Sequence, residues 1–572
     1  MFQKKEIQLH LWPWSVGEPK ETIEVRQKQK KITFPFYGSP VISALTETKL
    51  FLPSRYEGFI SLGPKYRTAE GEYRLYEAPH GVLADKKNEN SGAIIHSLSI
   101  RGTIFFEAKG AIGQKGVDGD ENIGENLKSV VLGWSQFFDD MLERAEQGWH
   151  KQNKIPWSSV LKFLETVRDQ NKSPRMALII RIAQEMRRKL PQTVTSLRKI
   201  LVRERRLMSV DRISETDNCC LLWYIRQSGN TIAEKAGYRQ ELLGVSRRES
   251  FDTQENRVVK DFLYRCIIEA ARYIKTEILP NPVYENSDRA IQVKTFKNIC
   301  TVLKREPLFE KISMPVPGAS PNYVLQNDYR YREIWKWYQK LLKREEEEDK
   351  YWDWQTRGWA DVCRFLICAA LWELTQRKKN FKGKFVFKEL LRSALHIFQE
   401  QRAGSKISPD SMPGPIVILK VQGIKKRPVA LIEVVHSDYA NRHPYTRHLG
   451  RTGGHLYLVL RPVEGSGVSP RIIIVWGVHT AGSFQVPSWK EMSTSASQAI
   501  KRHEIIIGDS YPDFPRLSGI VVASDLQAKD ADVYSPSPET LPIIQVPADY
   551  RYWEDAVIFL QVVFEELLEK MV

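Results

Sequence analysis

The sequence has no run approaching the roughly 18–20 consecutive apolar residues that a membrane-spanning helix needs, although 42% of its 572 residues are hydrophobic. Its first residues, Met1-Phe2-Gln3-Lys4-Lys5-Glu6, carry no apolar signal-peptide core, so a cytoplasmic protein with no membrane partner is expected. Cysteine is scarce. The six, Cys219, Cys220, Cys266, Cys300, Cys363 and Cys368, form no C-x-x-C pair, and most sit in apolar helical patterns, which argues against zinc and disulfides and predicts reduced, packed thiols. There is also no G-x-x-x-x-G-K-[ST] loop, so the chain is not expected to hydrolyse a nucleotide by itself, and any GTP or ATP motor would come from a partner. Tandem repeats are absent.

What the sequence does have is positive charge. Lys and Arg number 85 against 69 Asp and Glu, a balance of +16 that attracts polyanions, nucleic acid first among them. At about 100–200 residues per domain the length suggests three or four units.

The hydrophobic period divides the chain in three. Residues 1–122 alternate in short segments such as Lys31-Ile32-Thr33-Phe34-Pro35-Phe36 and Gly102-Thr103-Ile104-Phe105-Phe106-Glu107, which predicts a β-rich N-terminal domain closed by a Gly-rich loop over 110–124. From Leu127 a helical stripe begins (Val130, Val131, Trp134, Phe137, Phe138, Met141, Leu142), and a helical middle domain is expected over 123–400. Within 401–572, the runs Ile416–Leu419, Val429–Val435, Leu456–Leu460 and Ile472–Trp476 suit a buried sheet, followed by an amphipathic helix from Tyr552 to Met571. The expected class is therefore α+β and multidomain.

The most informative segment is Arg248-Glu249-Ser250-Phe251-Asp252-Thr253-Gln254-Glu255-Asn256-Arg257-Val258-Val259-Lys260-Asp261-Phe262-Leu263. Asp252 or Thr253 can cap a first turn, Glu255 favours the positive end of the dipole, and Val258, Val259, Phe262, Leu263 and Cys266 recur at helical spacing. This pattern resembles the central helix of McrC-type proteins, the nuclease-bearing partners of McrB-type AAA+ GTPases in bacterial defence. A second similar segment, Pro321 to Tyr338, matches the entry into a long helix that precedes the family's nuclease module; Glu345–Asp349 then reads as an exposed break, and Trp359 to Leu374 as another buried helix. Ile334, Trp335, Tyr338 and Leu341 are expected in a core, although their aromatic neighbours are also of the kind that stack on bases.

The resemblance implies a C-terminal restriction-endonuclease-like (PD-(D/E)XK) α/β domain. In that site an Asp and a second carboxylate hold Mg²⁺, and a Lys two residues after the second carboxylate shares its strand face and polarises the attacking water. Carried onto this chain, the metal-binding Asp falls at Pro415, the second carboxylate at Glu433 and the lysine at Val435. Two of three groups are missing, which implies a degenerate site with no cofactor, or Mg²⁺ if cleavage survives through Glu433 and other ligands. Glu389, expected on a preceding helix, is an optional auxiliary acid; Lys420 lies on the first strand and matches no family residue.

His436, Asp438, His443, His448 and His455 crowd the same region, where Glu433 with His436 could serve a transition-metal site or a histidine could act as a general base; their spacing matches no compact ligand motif, so the histidines read first as polar loop residues beside the phosphate-binding candidates Arg442, Arg447 and Arg451. The other basic cluster is Arg187, Arg188, Lys189, Arg198, Lys199, Arg203, Arg205 and Arg206, read as either a solvated helix face or a phosphate-contacting surface. The expectation is a nucleic-acid-binding (DNA or RNA), catalytically inactive nuclease-like subunit of an antiphage or restriction-type complex, with an AAA+ NTPase partner implied by the resemblance. The rivals are a Mg²⁺-dependent DNA endonuclease subunit and a structural adaptor that touches no nucleic acid.

Overall fold

The computed structural model describes residues 7–15, 22–24, 31–35, 41–45, 49–54, 58–61, 66–67, 73–77, 92–96, 101–109, 133–134, 137–138, 141, 154–169, 174, 176–316, 318, 320–349, 351–376, 385–390, 394–396, 417–423, 427–440, 442–480, 489–525, 530–535, 540–547 and 549–571. The three-part division above is a reading of composition; by packing, the chain falls into two units, Met1–Lys172 with Glu345–Val572, and Ser173–Arg344. Both are mixed in character, and the chain as a whole is α/β with a helical middle and a C-terminal mixed sheet.

In the first unit the alternating N-terminal segments form two five-stranded sheets. One runs Thr22–Glu24, Ile7–His10, Val41–Leu45, Tyr73–Glu77, Tyr66–Arg67; the other runs Lys31–Pro35, Arg101–Lys109, Gly92–His96, Lys49–Ser54, Gly58–Ser61. The Gly-rich 110–124 segment lies outside the described residues. The C-terminal sheet has eight described strands in the order Phe385–Leu390, Val417–Gly423, Pro428–His436, Leu456–Pro462, Arg471–Thr480, Arg516–Asp525, Ile543–Pro547, Asp532–Tyr534. The first five form an antiparallel meander; Arg471–Thr480, Arg516–Asp525 and Ile543–Pro547 then run parallel.

Period two sorts each strand onto two cores. Ala430, Ile432 and Val434 share a cluster with Phe365 and Leu366 of helix Tyr351–Gln376, with Leu560 and Phe564 of helix Trp553–Met571, and with Trp134, Phe137, Phe138 and Met141. Val435, Tyr457, Val459 and Ile474 face the other way, onto Met492, Ala496 and Ala499 of helix Trp489–Ser510.

That second core is completed from the far end of the sequence. Trp12 and Trp14 are buried in it: Trp12 stacks on Trp14 at 5.1 Å, Trp14 meets Trp476 edge-on at 5.4 Å, and the Trp14 indole N–H donates to Ser495 Oγ at 3.0 Å. Arg502 donates to the Trp14 carbonyl at 3.0 Å. Gly453, at φ +67°, lies so close to Pro13 that a Cβ there would stand 2.0 Å from the Pro13 carbonyl oxygen.

The second unit packs helices Leu178–Thr195, Gln254–Tyr273, Asp288–Lys304 and the start of Tyr329–Asp349 around Met186, Val259, Phe262, Cys266, Phe296, Cys300 and Trp337. It is not helical throughout. Ile200–Ser209, within the segment expected to be a helix face, is a ten-residue strand paired antiparallel with Glu241–Ser250. Its β-branched and basic residues give a weak helical period, and ten paired backbone positions with a cross-strand partner override it. Two more expectations shift. Glu389 lies on strand Phe385–Leu390 rather than a helix, and Glu345–Asp349 continue helix Tyr329–Asp349, with the next helix starting at Tyr351. The cysteines are all free thiols, buried except for Cys219.

Candidate functional site

Glu433 stands in the middle of strand Pro428–His436, directly opposite Val459 on one neighbour and Ile418 on the other. Residues two apart share a face, so Arg461, two beyond Val459, and Lys420, two beyond Ile418, flank Glu433 on the same side of the sheet. The Glu433 side chain is 5% exposed. Arg461 Nη1 donates to Oε1 at 3.1 Å and His443 Nε2 bonds Oε2 at 2.8 Å. The Tyr445 backbone N–H donates to His443 Nδ1 at 3.4 Å, which leaves the ring proton on Nε2, where it donates to Glu433. Burial pushes the Glu433 carboxyl up, but the His443 hydrogen bond and the Arg461 charge outweigh it and hold the group below the ordinary glutamate value.

This arrangement does not fit a divalent metal. Both carboxylate oxygens are engaged, a guanidinium already neutralises the charge, and neither nitrogen of His443 offers a free lone pair. Val435, where the family lysine would stand, is fully buried among the residues facing helix Trp489–Ser510. Pro415 lies outside the described residues, as do the side chains of Glu389 and Asp438. Among the described residues no group of three His, Cys, Asp or Glu stands close enough to hold a metal ion.

The remaining histidines scatter. His455 Nδ1, just before strand Leu456–Pro462, accepts the Gly477 N–H at 3.0 Å, and His436 is buried at the end of its strand. His448 lies tilted against Tyr511, ring centroids 4.2 Å apart, and takes a bond from Arg447 Nε at 2.8 Å; burial, then the Arg447 charge, lowers its pKa. Arg442 and Arg447 are exposed; the Arg451 side chain lies outside the described residues.

The two motif segments meet in the second unit. Thr253 caps helix Gln254–Tyr273 by accepting from Asn256 N. Asp252 takes a bidentate pair from Arg257 at 2.7 and 2.8 Å, which holds its carboxyl well below the usual range, and also accepts from Ser313 N. Buried Asn256 donates to the carbonyls of Arg198 and Phe251 and accepts from Tyr331 OH at 2.8 Å. Glu255 takes bonds from Arg198 and Asn322, Lys260 Nζ donates to the Phe309 and Ile312 carbonyls, and Asp261 accepts from Tyr338 OH at 2.7 Å. Asp252, Glu255, Asn256, Lys260 and Asp261 are thus spent on joining elements of the fold, each bond worth on the order of 1 kcal/mol net and more where charged. Among those elements is the base of the Ile200–Ser209 strand, tied down through Arg198.

The basic cluster is heavily compensated. Lys189 pairs with Glu333, Arg198 with Glu255, Lys199 with Glu249, Arg203 with Glu215 and Arg205 with Asp217. The Asp217 carboxyl is lowered to about 2, first by the Cys220 N–H and then by Arg205. Arg187, Arg188 and Arg206 have no ion-pair partner among the described residues.

Sequence reasoning missed Arg461, because the register that brings it diagonal to Glu433 is a tertiary fact. It also missed the turn Gly237-Tyr238-Arg239-Gln240, whose Gly signal marks a hairpin loop but not what the loop displays. Among the described residues no helix is long and apolar enough to cross a membrane. Residues 160–338, which hold both motif segments, are similar to a family described as a domain of unknown function (DUF2357). No curated protein matches the chain.

Proposed function

We propose that this chain is a nucleic-acid-binding, nuclease-like subunit that does not cleave by itself and works within an antiphage or restriction-type complex. The observation that carries the reading is the Glu433 carboxylate, closed off by His443 and Arg461 beside a buried Val435. A catalytic carboxylate of the PD-(D/E)XK kind must offer lone pairs to a metal, and this one offers them to an imidazole N–H and a guanidinium. Support for nucleic acid comes from the +16 balance and from Arg187, Arg188 and Arg206, which have no ion-pair partner among the described residues. Support for a complex, and for an AAA+ NTPase within it, comes from the resemblance of the two motif segments to McrC-type proteins.

A second reading, Mg²⁺-dependent DNA cleavage, draws on one specific observation. Glu389 stands opposite Lys420 in register, and Lys420 shares the face of Glu433, so a lysine and a further acid occupy adjacent strands. It requires His443 and Arg461 to leave the carboxylate. Incubating the purified chain with supercoiled plasmid and Mg²⁺ or Mn²⁺ separates the two. No nicking is expected at high protein; nicking that disappears in Glu433→Ala and in Lys420→Ala would establish the second reading.

A further inference from the structure

The hairpin Ile200–Ser209 with Glu241–Ser250, and the segment between its strands, contributes little to the core of its unit. Of residues 200–206 every one is exposed, and Cys220, Ala236, Leu242 and Val245 are the buried hydrophobics of the whole arm. An arm that buries so little adds little to the stability of its unit, yet its base is pinned by the Asn256, Glu255 and Tyr331 bonds to Arg198. The fold fixes where the arm points.

At the connecting end the chain makes one strained turn. Gln240, at φ +51°, is the one non-glycine positive-φ residue among those described, and it follows Gly237 at φ +64°. The Gln240 side chain locks the turn by donating to the Ala233 carbonyl at 3.1 Å and the Gly237 carbonyl at 2.7 Å, while its own carbonyl accepts from Val210 N at 3.1 Å. A left-handed non-glycine residue costs about 1 kcal/mol or more and persists where the surroundings over-determine it, commonly at a working site. What this turn holds outward is Tyr238, 102% exposed, with Arg239 next to it. Arg212, two residues past Val210, and Arg226, at the end of the helix that Lys235 Nζ joins at the Tyr224 carbonyl (3.3 Å), lie in neighbouring segments. Arg212, Arg226 and Arg239 have no partner among the described residues. From Arg198 to Ser250 there are eleven Lys or Arg and seven Asp or Glu.

We propose that Tyr238 is a stacking platform for an unpaired nucleobase, with Arg239, Arg212 and Arg226 as contacts for the flanking phosphates, so that the arm recognises single-stranded or locally opened nucleic acid. The proposal rests on the nucleic-acid reading above and names the site and the form of the ligand. A ring with both faces in solvent, held on a rigid turn beside a guanidinium, meets both halves of a nucleotide: the base by stacking and the phosphate by a charge-assisted bond. Base pairs inside a duplex are stacked on both sides and do not offer the free face, so single strands are preferred.

The test uses the full chain, a labelled oligothymidylate and a duplex of equal length, with affinity measured across a salt series. Tyr238→Ala should weaken single-strand binding about tenfold with an unchanged salt slope, because a stack and not a charge is lost, and Tyr238→Phe should restore it. Arg239→Ala should lower both the affinity and the slope, the latter by about one. The side chains are exposed, so thermal melts of these variants should match the parent. If Tyr238→Ala binds like the parent while Arg187→Ala with Arg206→Ala does not, nucleic-acid binding stands and the tip has no part in it. If Tyr238→Ala keeps its nucleic-acid affinity but loses a co-purifying protein, the tip belongs to a protein contact and the proposal fails. Failure of the parent to bind either probe overturns both readings together.

Discussion

At the scale of single residues, most of the side chains that look chemical in the sequence are committed to the fold. Asn256, Glu255 and Asp261 are buried acceptors or donors with named partners, and Glu433 is closed by two bonds. His10 shows the same economy of burial with a measurable consequence. It bonds Ser43 Oγ at 2.8 Å, and burial lowers its pKa from 6.5 to about 4. The unfolded chain therefore takes up a proton near pH 6.5 that the folded chain refuses until about 4, so acidification across that window removes stability, by about 3 kcal/mol when complete. Above pH 6.5 the group contributes no slope. Urea midpoints between pH 7 and pH 4, followed through the buried tryptophans, should fall more steeply for the parent than for His10→Gln; equal slopes would mean that His10 titrates normally.

Among the elements, the sequence was legible where period and end signals agreed. Helix Gln254–Tyr273 begins at the Thr253 cap and buries Val258, Val259, Phe262, Leu263 and Cys266 as its spacing requires; the C-terminal strands fall on their β-branched runs. The arm was not legible, because Ile200–Ser209 buries neither face and so carries no alternation to mark it as a strand. At the candidate site the sequence shows the carboxylate at Glu433 and the valine at 435, whereas the Arg461 and His443 bonds depend on register and on a loop returning over the sheet. Nor does any local signal announce that Trp12 and Trp14 cross the chain to fill the core beneath helix Trp489–Ser510. Removing an indole packed this tightly costs on the order of 3–5 kcal/mol. Trp14→Ala should therefore lower the unfolding midpoint strongly, and a 121–572 fragment, which lacks both rings, should be insoluble or molten. A fragment with the parent's melting temperature would show that the N-terminal segment is dispensable to that core.

For the molecule as a whole, the account is of one unit that carries a basic arm and of another that carries a mixed sheet whose Glu433 carboxylate is occupied. Its central claim is that the chain binds nucleic acid through charge. Arg198 is a poor place to probe that, since its loss strands the buried Glu255, 1% exposed, without its cation. Arg187, Arg188 and Arg206 carry no such structural duty among the described residues. The most direct measurement is the affinity of the full-length chain for a nucleic acid as salt is raised, beside the triple variant Arg187→Glu, Arg188→Glu, Arg206→Glu. The account predicts parent binding whose logarithm falls linearly with the logarithm of salt, and a variant that binds more weakly on every sequence with a slope shallower by about two to three, as counterion release at the lost contacts requires. Absence of binding by the parent at low salt, or a variant with unchanged affinity and slope, would contradict it.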